Sequence, residues 1–245
     1  MKRSTTLSER LAQWTHRSKH DRRGGSFVAV EEAGRKLEYL NETDIFSPLS
    51  ADEKSWLMHN TTMVTCERGR VFYSPGDPGE VVFILKRGRV DLYRLTNDGR
   101  KLVIASLGAH TIFGEMGLIG QRMYGCFAEA VEDCLLCVLS RLDMQTLVRR
   151  NPEVGLLMLA EMERRLQDRE AELEAIAFHG LPMRHAALLL REGDSSQNLA
   201  ERLGTHRETV SSILGKFRGQ GLISTESRRI CLLEIERLRA VAEPN

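Results

Sequence analysis

No apolar run in this 245-residue chain approaches the ~20 residues that a bilayer-spanning helix needs. A helical membrane span is therefore excluded. Net charge is nearly absent: 35 Lys and Arg stand against 34 Asp and Glu, a formal +1 at pH 7. Such a balance does not advertise nucleic-acid binding. It does not exclude it either, because positive charge need only gather on one face. Cysteines are few and odd in number, five in all. The first residues are polar and basic, without the apolar centre of a secretory signal. Reduced thiols in a cytoplasm are expected rather than a disulfide framework. The marks of an enzyme are also missing: there is no nucleophile–base pair, phosphate loop or metal-ligand motif. His110 is the only histidine in the strand-rich part of the chain, whereas a β-barrel metal site needs several clustered ligands. No metal, cofactor or membrane partner is expected.

What is present is concentrated near the C-terminus, in SSQNLAERLGTHRETVSSILGKFRGQGLI, residues 195–223. Leu199, Ala200 and Leu203 share one helical face. Gly204 follows, where a tight turn needs positive φ. From about Arg207 a second helix carries Val210, Ile213, Leu214 and Phe217 at core spacing. Its other face presents Arg207, Glu208, Ser211, Ser212 and Lys216. Two short helices around such a turn predict a helix-turn-helix whose second helix enters a DNA major groove. Beyond it, Leu222-Ile223 and residues 229–233 alternate around a polar turn, which predicts a small β wing followed by a short terminal helix.

Upstream, the texture divides into three parts. Residues 1–37 are expected to be a flexible tail. Its basic start holds Lys2, Arg3, Arg10, Arg17, Lys19, Arg22 and Arg23 against Glu9 and Asp21. Residues 38–150 begin with a helical pattern from about Glu38 to Asn60. They continue as short β-rich runs (VFYS, VVFILK, VDLYRL, LVIASL, CFAEAV, CLLCVL) separated by turn residues, with Asn97-Asp98-Gly99 as a hairpin signal. Strands of that length and spacing imply an antiparallel barrel or roll. Residues 151–180 predict one long helix, with Asn151 as its cap and Pro152 in its first turn. There Leu159, Met162, Leu166, Arg169, Leu173 and Ile176 follow a 3–4 spacing, a heptad stripe with one charge. A helix so patterned wants a partner helix, and a homodimer seam of Leu159, Met162, Leu166, Leu173 and Ile176 is expected. Residues 181–245 then form the DNA-binding unit, opened by Leu181-Pro182. Cys134 and Cys137 make a Cys-x-x-Cys pair, but strand residues three apart face opposite sides. The two read as separately packed side chains rather than as a metal or redox site.

The whole is expected to be an α+β chain: an antiparallel β-roll, a long dimerisation helix and a winged helix-turn-helix. Along it stand GDPGEVVFILKRG (76–88), Phe113-Gly114-Glu115-Met116-Gly117-Leu118, Asn151-Pro152 with Arg164-Arg165-Leu166, and Arg207-Glu208-Thr209-Val210. In these motifs and their order it resembles the cAMP receptor protein/FNR family of bacterial transcription regulators, over roughly residues 40–235, which implies a β-roll of cyclic-nucleotide-binding type. Cyclic-nucleotide-binding members hold the phosphate with an Arg-Ser pair, since a buried anion wants a guanidinium and a hydroxyl. The resemblance places Tyr124 and Gly125 there. The adenine-contacting positions fall on Arg169 and Glu170, and only Glu115, beside Gly114, is kept. Arg122 lies nearby as a cation for another anion or as a solvated loop residue. An FNR-like iron–sulfur cluster needs four thiolates, and the N-terminal cysteine cluster is absent. No cofactor is therefore expected.

Arg207 can read guanine through two parallel hydrogen bonds, and Glu208 can accept from cytosine N4. Ser211 and Ser212 face the same groove one turn on. Many relatives carry Arg where Ser212 stands, so a departure from the usual half-site is implied. Ser195, Ser196, Gln197, Thr209 and Lys216 are candidates for phosphate contacts, which position without specifying. The expectation is a cytoplasmic homodimer that binds an inverted repeat of double-stranded DNA, engages RNA polymerase and works without cAMP, in its simplest form without any effector. Two alternatives stay open: gating by a non-cAMP ligand or a redox signal, and a cyclic-nucleotide-binding regulatory subunit that does not bind DNA.

Overall fold

The run Cys-Leu-Leu-Cys-Val-Leu-Ser is buried at every position, and the architecture follows from the need to cover both of its faces. The computed structural model describes residues 28–29, 40–115, 118, 125–192, 199–226 and 229–243. The chain runs β1 (Val28–Ala29), a 3-10 turn (Asp44–Phe46), α1 (Ala51–Asn60), β2 (Thr61–Cys66), β3 (Val71–Tyr73), β4 (Val81–Arg87), β5 (Val90–Leu95), β6 (Lys101–Leu107), β7 (Ile112–Phe113), β8 (Phe127–Ala130) and β9 (Cys134–Ser140). There follow α2 (Arg141–Arg150), α3 (Pro152–Phe178), α4 (Leu181–Glu192), α5 (Leu199–Leu203), α6 (Arg207–Gly219), β10 (Ile223–Glu226), β11 (Arg229–Leu232) and α7 (Ile235–Ala242). Two compact units result. One is drawn from residues up to Arg94 and from Ile104–Glu161, the other from Leu95–Val103 and from Met162 onward.

In the first unit, a five-stranded sheet ordered β1-β2-β9-β4-β7 accompanies a four-stranded sheet ordered β3-β8-β5-β6. Side chains of the two sheets share one core, with Val64, Phe83, Leu136 and Val138 from the first and Phe72, Val90, Ala128 and Ala130 from the second. Phe83 stacks on Phe113 with ring centroids 4.8 Å apart, and Phe72 meets both edge-on at 5.2 and 5.1 Å. The opposite face of the five-stranded sheet packs on helices, where Val82, Ile84, Leu135 and Leu139 join Phe46, Leu57, Met144 and Leu147. β4 and β9 thus lie in a middle layer, and a strand covered on both sides reads as a continuous apolar run rather than an alternating one. The period of two sends Cys134 into the inter-sheet core and Cys137 towards the helices.

Several expectations are corrected. The helical pattern from Glu38 to Asn60 is broken: only Ala51–Asn60 is a long helix, started by a capping box in which Ser50 accepts from the Glu53 N–H and Glu53 accepts from Ser50. β2 follows it at once, and Thr61 donates its hydroxyl to the Leu57 carbonyl. β1, inside the expected tail, pairs with β2 through Val28↔Thr65 and Ala29↔Val64. The rest of that tail lies outside the described residues. α2 was not expected. Ser140 caps it by accepting from the Asp143 N–H at 3.1 Å, and it buries Met144 and Leu147. Asn151, expected to cap α3, stands directly before it with its carbonyl accepting from the Val154 N–H, and it also closes α2 with its own N–H on the Leu147 carbonyl, while its side chain donates to the Pro48 carbonyl. α3 ends at Phe178, so the break falls before Leu181-Pro182, with Pro182 in the first turn of α4.

The second unit closes around Leu189, Leu199, Val210, Ile213, Phe217, Leu222, Ile230 and Leu238. His185 of α4 is fully buried in it, its ring centroid 5.9 Å from that of Phe217. No helix among the described residues is long and apolar enough to cross a membrane.

Candidate nucleic-acid interface

α5 and α6 are joined by a three-residue turn in which Gly204 adopts φ +63 and Thr205 donates its N–H to the Ala200 carbonyl. The left-handed turn sets α6 off in a new direction, which is why glycine stands there. α6 buries Val210, Ile213 and Phe217. Arg207, Glu208, Ser211 and Ser212 all lie exposed on the remaining surface, across an arc of roughly 140° at 100° per residue. Lys216 is exposed and Thr209 half-buried at the margin of that arc. Among the described residues no side chain caps the helix: His206 at the N-cap makes no capping hydrogen bond, and its ring Nε2 lies 3.5 Å from the Arg100 guanidinium instead. Arg207 projects from the first turn with 83% of its side chain exposed, its guanidinium 3.9 Å from Glu201 of α5. Ser195, Ser196 and Gln197 lie outside the described residues. Behind α6, the wing strands β10 and β11 pair from Ile223↔Leu232 through Glu226↔Arg229. Arg218 ties helix to wing by donating to the Thr225 hydroxyl at 3.2 Å.

Five of the seven residues expected to line an effector pocket are among the described residues. Gly114 ends β7 with φ +83 and Gly125 precedes β8 with φ +65. Arg122 and Tyr124 lie outside the described residues. Glu115 is half-buried. Arg169 is engaged within its own helix by Glu172, at 2.5 Å, and Glu170 is exposed. One residue was missed. A Cβ on Gly125 would stand 3.2 Å from the Arg94 guanidinium, so an arginine from β5 occupies the neighbourhood of Gly125. Cys126 is the shared neighbour: burial pushes its thiol up, and Arg94 and Glu115 act on it with opposite sign. Nothing in the β5 pattern beyond an arginine near a strand end could have flagged this. Among the described residues, no group of three or more His, Cys, Asp and Glu could hold a metal ion.

The residues of α3 expected to form a seam make an exposed apolar stripe. Leu159, Leu166, Leu173 and Ile176 are each more than half exposed, together with Leu156, and Met162 is partly covered.

A β-roll followed by a long helix and a winged helix-turn-helix with a charged, exposed second helix is the build of a DNA-binding transcription regulator. Residues 63–151 match the cyclic nucleotide-binding domain and residues 183–241 the Crp-like helix-turn-helix domain, and the chain belongs to the CRP/FNR family. It is 33% identical over 181 residues to the cyclic AMP receptor protein of Thermus thermophilus, covering 68% of this chain and 84% of that one. It is 28% identical over 186 residues to the global nitrogen regulator of a Nostoc species, covering 68% and 82%. Among solved structures, a CRP/FNR transcriptional regulator of Thermus thermophilus superposes with a TM-score of 0.62 at 27% identity, over 74% of this chain and 97% of that one. A Crp/Fnr-family regulator of Eubacterium rectale shares the fold with a TM-score of 0.70 at 20% identity, over 81% and 97%.

Proposed function

We propose that this regulator is a homodimer that reads an inverted repeat of double-stranded DNA without cAMP, as an effector-free protein. The observation that carries the reading is the division of α6: Val210, Ile213 and Phe217 are buried while Arg207, Glu208, Ser211 and Ser212 are exposed together. Arg207 and Glu208 sit in the first turn, where a recognition helix meets base edges, and their fork and acceptor chemistry suits a G·C pair. Thr209 and Lys216, with Ser195, Ser196 and Gln197, act on phosphates. The exposed stripe of α3 supports the dimer, since such a face is stable in water only against another apolar face. The division into tail (1–37), β-roll (38–150), dimer helix (151–180) and DNA-binding unit (181–245) fits this reading, as do a cytoplasmic setting, RNA polymerase as partner and no enzymatic role.

The test is selection of preferred sequences from a random DNA pool with purified, ligand-free protein. The expected product is an inverted repeat with half-site centres about one helical turn apart, roughly 34 Å. Failure to enrich any motif without added ligand overturns the effector-free reading. A second reading, gating by an anionic ligand other than cAMP, is favoured by Arg94 beside Gly125. Under it, the selection succeeds only when such a ligand is supplied.

A further inference from the structure

We propose that Cys66 and Cys134 form an oxidisable dithiol, which a hydroperoxide converts into a disulfide bridging β2 and β9. The two residues are directly opposed in the antiparallel pairing of these strands. Opposed residues of an antiparallel pair have Cα atoms about 4.5 or 5.5 Å apart, depending on which of the two alternating positions they occupy. Both separations lie within the span a disulfide bridges. Opposed side chains also share a face, and both cysteines belong to the same inter-sheet core. Cys137, the partner suggested by the Cys-x-x-Cys spacing, is on the other face among the helices. The motif names the wrong pair, because the fold supplies a better-placed thiol from a distant strand.

The two sulfurs are not equivalent. The Cys134 thiol lies against the Arg89 and Glu132 carbonyls at 3.5 and 3.2 Å, and the mutual interaction of the two sulfurs lowers the pKa of Cys134 and raises that of Cys66. Cys134 is thus the nucleophile and Cys66 the resolving thiol. The Cys134 thiolate attacks one oxygen of the peroxide. The O–O bond breaks, an S–O bond forms, and the other oxygen leaves as alkoxide or hydroxide and takes up the proton released by Cys134. The Cys66 sulfur then attacks the resulting sulfenic sulfur, the S–O bond breaks, and hydroxide leaves with the Cys66 proton as water. Two thiols have lost two electrons and the peroxide has gained them. Both cysteines are buried at rest, but the pair is the last rung of its ladder: Cys66 ends β2 and Cys134 begins β9. The neighbouring Glu67, Arg68, Glu132 and Asp133 are exposed. Fraying of a strand end is a low-energy opening, and a peroxide is small enough to use it.

The test takes the full-length protein, reduced and freed of reductant, and treats it with excess hydrogen peroxide. Remaining thiols are alkylated, and the protein is digested without reductant for mass spectrometry. The expected product is a linked peptide pair carrying Cys66 and Cys134, lighter by two hydrogens (about 2 Da) and separated by dithiothreitol. Cys66→Ser should stop at a Cys134 sulfenic acid that dimedone traps, Cys134→Ser should leave Cys66 an unoxidised thiol, and Cys137→Ser should cross-link like wild type. The wild-type digest decides the matter even if a variant folds poorly. A cross-link to Cys137 instead, or complete alkylation of Cys66 and Cys134 after peroxide, overturns the proposal.

Discussion

Lys86 of β4 donates from Nζ to the Thr43 hydroxyl across 2.6 Å, with both residues buried. An ammonium thus anchors the turn that covers the helical side of the five-stranded sheet. Burial pushes its pKa from 10.5 down to about 8, against the opposing pull of Cys137 and Glu42. Between pH 8 and 10.5 the unfolded chain holds this proton and the folded chain does not, so stability rises with pH across that window. The rise is at most about 3 kcal/mol. Lys86→Met should remove this slope in urea titrations at a series of pH values, relative to wild type. Thr43→Val should cost about 1.5–3 kcal/mol at pH 7 through the lost partner of a charged group. Parallel slopes in wild type and Lys86→Met contradict the assignment.

His185 gives a slope at the acid end. Its two ring nitrogens are buried without a hydrogen-bond partner among the described residues, and burial lowers its pKa from 6.5 to about 4. Above pH 6.5 it is neutral in both states and costs nothing. As pH falls from 6.5 towards 4, the unfolded chain takes up a proton that the folded chain refuses, and up to about 3 kcal/mol of stability is lost. His185→Leu should flatten this part of the profile. Chemical-shift titration of the His185 ring in the folded protein gives the direct check: a midpoint near 6.5 would show that the ring is hydrated.

The seam on α3 predicts the effect of a buried charge. Leu166 is 59% exposed in the single chain, so Leu166→Glu should hardly change the folding of a protomer. In a dimer it places a carboxylate inside an apolar seam and should raise the dissociation constant by several orders of magnitude. Sedimentation at micromolar concentration distinguishes the two states. A Leu166→Glu protein that remains fully dimeric there puts the interface elsewhere.

On α6, Arg207→Ala should cost about 1–3 kcal/mol on the best site and relax preference at one guanine. Lys216→Ala should weaken all sequences alike and lower the salt slope by about one unit. Ser212→Arg adds a long bidentate donor and should shift the selected half-site towards an additional guanine. Repeating the random-pool selection on the three variants reads all of these at once. An unchanged motif in Arg207→Ala means that α6 does not dock by its first turn.

The proposed independence of cAMP, which puts Tyr124 and Gly125 where a phosphate needs an arginine and a hydroxyl, predicts no high-affinity binding of cAMP in calorimetry. DNA affinity should be the same with and without it. A tenfold gain, ~1.4 kcal/mol, would instead mean that Arg94 substitutes for the missing cassette arginine. In that case Arg94→Ala should abolish the response.

The sequence by itself determined the elements whose cause is local. The 3.6-residue period, the glycine at φ +63 and the core spacing of Val210, Ile213 and Phe217 specify the helix-turn-helix, and the heptad stripe marks α3 because neighbouring turns of one helix align it. The tertiary structure decided whatever depends on chain segments meeting from a distance. β1 has two residues and exists only because β2 offers it an edge. α2 carries just two buried side chains, too few for a periodic signal. Lys86 and His185 are polar residues whose burial comes from the neighbours packed over them, and Arg94 reaches the cassette only through the sheet. Cys66 and Cys134 show the difference most directly. Spacing along the chain joins Cys134 to Cys137, but strand register sets it opposite Cys66, and register is settled by which faces the whole sheet can bury.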